Sequence, residues 1–368
     1  MTENDVWFKK ALAIEEHHPE EAIKYYNSII EHSDTSQNIQ KVTVNAYQNK
    51  GIILEKLGKH EESLECLEKA KVLKEQREVN QVKSEEEKRR RMCDDAFQLL
   101  MEGKYDESIH EFEELLEIDP KNAQAWYGKG TALLEQAKND DDSPPFDICQ
   151  ESIECMDKVI EIDPEYAAAW YNKAGAYITE ASFEEYEEET QRLNELTREC
   201  LEKALEIEPD SVRANFMLAN ILRDLDRVDE SIEYVDKALE IEPKNESFLD
   251  FKGVAYGQLG MLKESVECFE KLIQINPKNA QAWYGKGISL VEQVNPYPYN
   301  PTTEDKSMVE ESIKCMDKVI EIDPEYAPAW YNKGTACMLI GRTQESSYCL
   351  ERSTELDPKL LSEMDSKN

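Results

Sequence analysis

The side chains best equipped for chemistry are five histidines, His17, His18, His32, His60 and His110, and nine cysteines. A histidine beside a serine or cysteine would serve as a general base, and a His/Cys cluster at ligand spacing would hold zinc. The histidines all fall in the first third of the chain, and no Cys-x-x-Cys pair or His-Glu-x-x-His string occurs. Asp140, Asp141 and Asp142 form an acidic run, but no EF-hand spacing follows, so a solvated loop accounts for them. The string YGKGTA, around Gly128 and Gly130, resembles a phosphate-cradling loop only in outline. It lacks the Gly-x-x-x-x-Gly-Lys-Ser/Thr spacing and any preceding strand. Asp and Glu number 79, so a catalytic carboxylate pair could not be told from the acidic background. These residues predict no enzyme, no cofactor and no metal.

Against those 79 acids stand 43 Lys and Arg, for a formal charge of -36. Such a field repels phosphate backbones and anionic lipid surfaces, which argues against nucleic acid and membrane as direct partners. The amino terminus, MTENDVWFKKALAIEEHH, has no signal-peptide core, and no stretch approaches the ~20 apolar residues of a membrane span, so a cytoplasmic location is expected.

The elements that would position any site repeat. Pro120, Pro164, Pro209, Pro243, Pro277, Pro324 and Pro358 each close a segment such as KVIEIDP, at spacings of 44, 45, 34, 34, 47 and 34 residues. Within a unit, a first helix such as NAQAWYGKGTALLEQ precedes a second such as ESIECMDKVIEIDP, and proline stops the second. Trp126, Gly130 and Leu133 share one face, and Trp170, Trp283 and Trp330 recur at the same place. Gly58, Gly103, Gly260 and Gly341 mark turns between helices. Cys66, Cys155, Cys200, Cys268, Cys315 and Cys349 occupy one equivalent position in six units. Equivalent helices pack no closer than ~8–10 Å, beyond the ~7 Å Cα limit of a disulfide, so these thiols are expected buried and free.

Trp, a small residue, Leu or Tyr, Gly at the turn, Ala or Ser, an apolar residue and Pro, in that order, resemble the tetratricopeptide repeat over nearly the whole chain. The resemblance implies an all-α, right-handed superhelical solenoid of antiparallel helix pairs, about nine units long, with the clearest copies at 212–245 and 246–279. A longer duplication is also present: AQAWYGKG recurs 157 residues on, from Trp126 to Trp283, as if a four-unit block had been copied. The expected organisation is helix pairs over 1–75, a charged helical linker or hinge at 76–91, and the main solenoid at 92–368 with a short C-terminal cap. Inserted turns are expected near 137–148, 182–195 and 294–308, the last containing Pro296, Tyr297, Pro298, Tyr299 and Pro301.

In this family the first helix of each pair lines the concave face, so the stripe beside the Trp face becomes the candidate groove. By i, i+4, i+7 spacing it holds Tyr127, Thr131 and Leu134; Tyr171, Gly175 and Ile178; Phe216, Asn220 and Arg223; Tyr284, Ile288 and Val291; Tyr331, Thr335 and Met338. Asn172 and Asn332, each beside a tyrosine, match a position where the family uses an amide to hold a ligand's backbone. Packing between neighbouring units would explain the same tyrosines equally well. The places where chaperone-binding relatives carry a Lys/Arg carboxylate clamp hold Tyr, Gly, Asn and Phe here. The resemblance thus implies a protein-interaction scaffold or adaptor that takes an extended or helical partner segment, with basic flanks aiding association. The alternatives are self-assembly, such as a homodimer through a terminal repeat, and a regulatory or chaperone-like subunit of an enzyme complex.

Overall fold

The computed structural model describes residues 3–32, 41–139, 145–294 and 302–359, and these contain 17 α-helices and no strand. Two compact units divide the chain, Met1–Glu102 and Gly103–Asn368. Asp140, Asp141, Asp142 and the Pro/Tyr-rich segment 296–301 lie outside the described residues.

The first unit holds α1 (Glu3–Ile14), α2 (Pro19–Glu31), α3 (Lys41–Lys56) and α4 (His60–Met101). Ala11, Tyr26, Ile29 and Ile53 form its buried core. Residues 76–91, expected as a charged helical linker or hinge, are helical and lie inside α4, a single 42-residue helix. Glycine and proline are absent there, and Glu85, Glu86 and Glu87 precede Arg89, Arg90 and Arg91 by four residues, the favourable order for helix-stabilising charge pairs.

The second unit opens with α5 (Tyr105–Ile118) and continues as six antiparallel pairs. These are α6 (Ala123–Asn139) with α7 (Phe146–Ile162), α8 (Ala167–Ser182) with α9 (Glu187–Ile207), and α10 (Val212–Asp224) with α11 (Val228–Ile241). They are followed by α12 (Glu246–Gln258) with α13 (Leu262–Ile275), α14 (Ala280–Glu292) with α15 (Thr303–Ile322), and α16 (Ala327–Leu339) with α17 (Thr343–Leu356). Every second helix, from α5 to α17, stops two residues before one of the seven periodic prolines. Trp126, Trp170, Trp283 and Trp330 then reach back, each indole Nε1–H donating to the carbonyl of the proline six residues earlier at 2.9–3.4 Å. Asn215 stands in the tryptophan's place in α10 and makes the same bond to Pro209 O at 2.9 Å.

The insertion near 182–195 differs from a projecting turn. Its residues from Glu187 onward belong to α9, 21 residues long against 14 in α11 and α13, and Leu193 and Thr197 are buried there. Three glutamates at its start, Glu187, Glu188 and Glu189, suit the positive end of the helix dipole. The insertion near 294–308 likewise enters α15, which Thr302 and Asp305 close with a reciprocal capping box.

Tight turns between successive helices put Gly58, Gly103, Gly260 and Gly341 at φ of 70–78°, and Asp226 takes the corresponding place in the α10–α11 turn at φ 60°. All nine cysteines are free and buried. Burial pushes the Cys155 and Cys315 thiols up to about 12.

Candidate functional site

Within the second unit the two helices of a pair are not equivalent. Some first helices of successive pairs touch directly, α6 with α8, α12 with α14 and α14 with α16, whereas α8 with α10, α10 with α12 and successive second helices do not touch to the same extent among the described residues.

The aromatic row lies on the first helices, half-buried, and it is knitted across unit boundaries. The Tyr127 ring is 5.2 Å from that of Tyr166, and the Tyr284 ring is 5.3 Å from Tyr326. Phe216 meets Phe248 at 4.6 Å and Phe251 at 5.7 Å. The Arg213 guanidinium sits 5.5 Å over Tyr171, and Arg223 lies 4.7 Å over Phe251. Tyr331 is half-buried on α16. The amides are engaged as well. Asn172, 9% exposed, donates to Thr131 Oγ1 at 2.9 Å, and Asn220 donates to Phe216 O at 2.8 Å. Asn332 donates to both Tyr284 Oη and Pro328 O at 2.9 Å, leaving only its carbonyl oxygen for a ligand. Burial pushes the Tyr284 phenol up to about 12.

Two wells open along this side. The smaller, about 220 Å³, lies between α6, α8 and α10 and is lined by Tyr127, Tyr171, Asn172 and Arg213. The larger, about 470 Å³, lies between α12, α13 and α14. Gly253, Gly257 and Gly285 leave room for it, and Phe269 forms its base, wedged where a Cβ on Gly253 or Gly285 would stand 2.9 or 2.4 Å from the ring. The Ser265 and Ser289 oxygens stand 2.8 Å apart, and their two hydroxyl protons are shared between this contact and the carbonyls Gly253 O and Gly285 O. Tyr284, Ile288, Val254, Gln258 and Gln281 form the walls, with the carboxylates of Asp250 and Glu292 at the rim.

Asp250 changes the picture of an almost uncharged groove. It occupies in α12 the position that Tyr127, Tyr171, Phe216, Tyr284 and Tyr331 hold elsewhere. Extending the same i, i+4, i+7 stripe through 246–279 yields Asp250, Val254 and Gly257, so the signal was present in the spacing.

A second feature escaped sequence reasoning. Three residues after Trp126, Trp170, Trp283 and Trp330, and after Leu249 at the equivalent place in α12, stands a lysine, and these lysines form a buried or half-buried ladder. Lys129, 9% exposed, bonds Glu113 of α5 and Glu151 of α7, both at 2.8 Å. Lys286 repeats this with Glu270 at 2.8 Å and Glu311 at 2.6 Å, and Lys333 with Asp317 at 2.7 Å and Glu345 at 3.1 Å. Lys173 pairs with Asp157 at 2.5 Å, and Lys252 pairs with Asp236. Burial works against the Lys129 charge, but the bonds to Glu113 and Glu151 outweigh it and hold its pKa up at about 12. Each lysine thereby ties a first helix to the preceding unit's second helix.

Comparison with known proteins places these features in context. Residues 44–76, 212–245, 247–279 and 327–360 match a tetratricopeptide repeat model, and residues 99–136 match a second TPR repeat model. Among solved structures, the C-terminal part of a TPR repeat-containing protein from Cytophaga hutchinsonii superposes with a TM-score of 0.55 at 12% identity. That match covers 72% of this chain and 95% of that one, and at such low identity it bears on the fold alone. YrrB, described as a TPR protein with an unusual peptide-binding site, gives a TM-score of 0.48 at 19% identity, covering 60% of this chain and 97% of its own. A thermophilic TPR protein from Thermus thermophilus gives 0.39 at 18% identity, covering 55% and 98%. No curated protein matches the sequence. No described helix is long and apolar enough to cross a membrane.

Proposed function

Because this chain is a tetratricopeptide repeat protein, an all-α interaction module, we propose that it is a non-catalytic scaffold holding an extended or helical segment of a partner protein along the first helices of its second unit. The observation that carries this reading is the asymmetry of the pairs: first helices meet each other at α6–α8, α12–α14 and α14–α16, and the aromatic row and most of the lining of both wells lie on first helices. A segment lying there meets rings and aliphatic side chains as anchors. An open groove of this kind binds with micromolar affinity, about -8 kcal/mol. The net charge of -36 favours partners with basic flanks by speeding their encounter.

Tyr171 and Tyr331 are the residues to remove. Tyr127, Tyr284 and Phe216 join neighbouring repeats through ring or hydroxyl contacts, and Tyr171 meets the next repeat through Arg213 and the core beneath it, so the helicity of the variant is the necessary control. The full chain and its Tyr171→Ala/Tyr331→Ala variant are used as bait in a lysate of the source cells, with helicity checked by circular dichroism. Partners retained by the native chain and lost by an equally helical variant are expected. Identical captures would move the interaction to the second-helix side, and a chain that captures only itself would replace the reading with self-assembly.

A further inference from the structure

The well between α12, α13 and α14 combines apolar walls with carboxylates that the fold does not neutralise. Elsewhere in the second unit, the ladder lysines and the other carboxyl groups that burial raises have opposite charge beside them. Each ladder lysine has its carboxylates, and the raised carboxyl groups of Asp224 and Glu180 have Arg223 and Arg192 acting against the rise. Asp250, half-buried, and Glu292, whose side chain is exposed, differ: partial desolvation raises both, no cation offsets it, and neither has an ion-pair partner among the described residues. The internal duplication supplies a control. Glu135, the counterpart of Glu292, holds Lys138 at 2.8 Å, and the residue standing 157 positions after Lys138 is Asn295. One copy thus carries its own cation at this place, and the other leaves the carboxylate unanswered.

We propose that this well is a pocket for an arginine side chain of the partner segment, with Asp250 and Glu292 receiving the guanidinium while Tyr284, Ile288 and Phe269 cover its aliphatic stem. The proposal rests on the groove reading above and gives that groove one specific preference. Its volume of about 470 Å³ lies within the roughly 300–1,000 Å³ of ordinary ligand pockets. The serine hydroxyls at the base are already engaged with each other and with glycine carbonyls, so the floor offers no charge to compete with the rim. Arginine fits better than lysine because its planar fork carries five donors for the carboxylates that line the well and can lie against an aromatic ring.

Nα-acetyl-arginine amide serves as the probe and nuclear magnetic resonance of isoleucine methyl groups in the full-length protein as the readout, with the Ile288 signal identified by Ile288→Val. Citrulline amide is the neutral isostere and leucine amide the purely apolar comparison. We expect Ile288 to shift with arginine amide at millimolar concentration, as suits so small a ligand. Citrulline amide should bind about tenfold more weakly, and the Asp250→Asn/Glu292→Gln variant should lose that preference while keeping its circular dichroism. Equal binding of arginine and citrulline amides, or a preference for leucine amide, overturns the assignment and makes the well an apolar anchor. An equal shift at Ile178 on α8 also overturns it, since that marks only general attraction to an acidic protein. The two readings fail separately. Arginine indifference with capture that still depends on Tyr171 and Tyr331 removes the pocket alone, whereas arginine preference with capture indifferent to those tyrosines removes the extended groove.

Discussion

Gly128→Ala tests whether glycine sets the approach of α6 to α5. A Cβ at Gly128 would stand 2.2 Å from Phe112 Cζ and 2.5 and 2.6 Å from the adjoining ring carbons. Comfortable carbon contacts begin near ~3.5 Å, so the ring would have to retreat by more than ~1 Å. Phe112 is 0% exposed and has no space to retreat into. Overpacking of a filled core costs about 1–3 kcal/mol, and an overlap this deep belongs at the upper end; replacing a mid-helix glycine returns about 1 kcal/mol, which leaves a net loss of about 2 kcal/mol. Gly257→Ala is the control, since its Cβ would meet only Ser265 Oγ at an ordinary 3.7 Å. That substitution should stabilise by about 0.5–1 kcal/mol. Repeat arrays open piecewise, so the assay is hydrogen exchange read peptide by peptide: α5 and α6 should exchange faster in Gly128→Ala, with α16 and α17 unchanged. Adding Phe112→Leu should recover part of the loss by shortening the wedge. Protection of α5 and α6 by Gly128→Ala, matching the sign seen for Gly257→Ala, would refute the reasoning.

Asp226 holds φ 60°, where glycine serves the other turns. Asp226→Gly should stabilise the α10–α11 pair by about 0.5 kcal/mol, the relief of left-handed strain being partly offset by the freer unfolded chain. A lower denaturation midpoint would instead assign the aspartate side chain a contact that matters. The buried thiols predict an alkaline limit. With folded pKa values near 12 against an ordinary 9.0, Cys155 and Cys315 contribute stability that is complete below pH 9.0 and is lost as pH rises through that window. Between pH 9 and 10, under reductant, a Cys155→Ala/Cys315→Ala variant should therefore lose roughly 1–2 kcal/mol less than the native chain in urea titrations. Parallel losses would show that those two thiols open before they titrate.

How far the sequence reached follows from which constraints act on single residues. Proline and the turn glycines announce themselves because backbone geometry tolerates few substitutes, and the tryptophan face followed from helical spacing alone. The lysine ladder was hidden because a lysine in a chain with 33% charged residues reads as solvated; only its fixed offset from tryptophan marks it as structural. The stretch after Ser182 is polar throughout and reads as a turn, yet its helix formers and acidic start let α9 extend into it. Asp226 shows the opposite limit, since its left-handed backbone is visible only by aligning it with the glycines of other units. The amides of Asn172 and Asn332 stand beside the tyrosines as the spacing requires, but which partner each would choose depended on Thr131 and Tyr284 from a neighbouring helix.

Nine thiols, spread from Cys66 to Cys349 and all enclosed, also make the chain a recorder of its own opening. An alkylating reagent can reach a given sulfur only while the helices around it have parted, so the pattern of labelled cysteines reports, pair by pair, which part of the array breathes. A guest bound across several pairs would hold them shut together, and its footprint would appear as a run of neighbouring thiols whose labelling slows in concert.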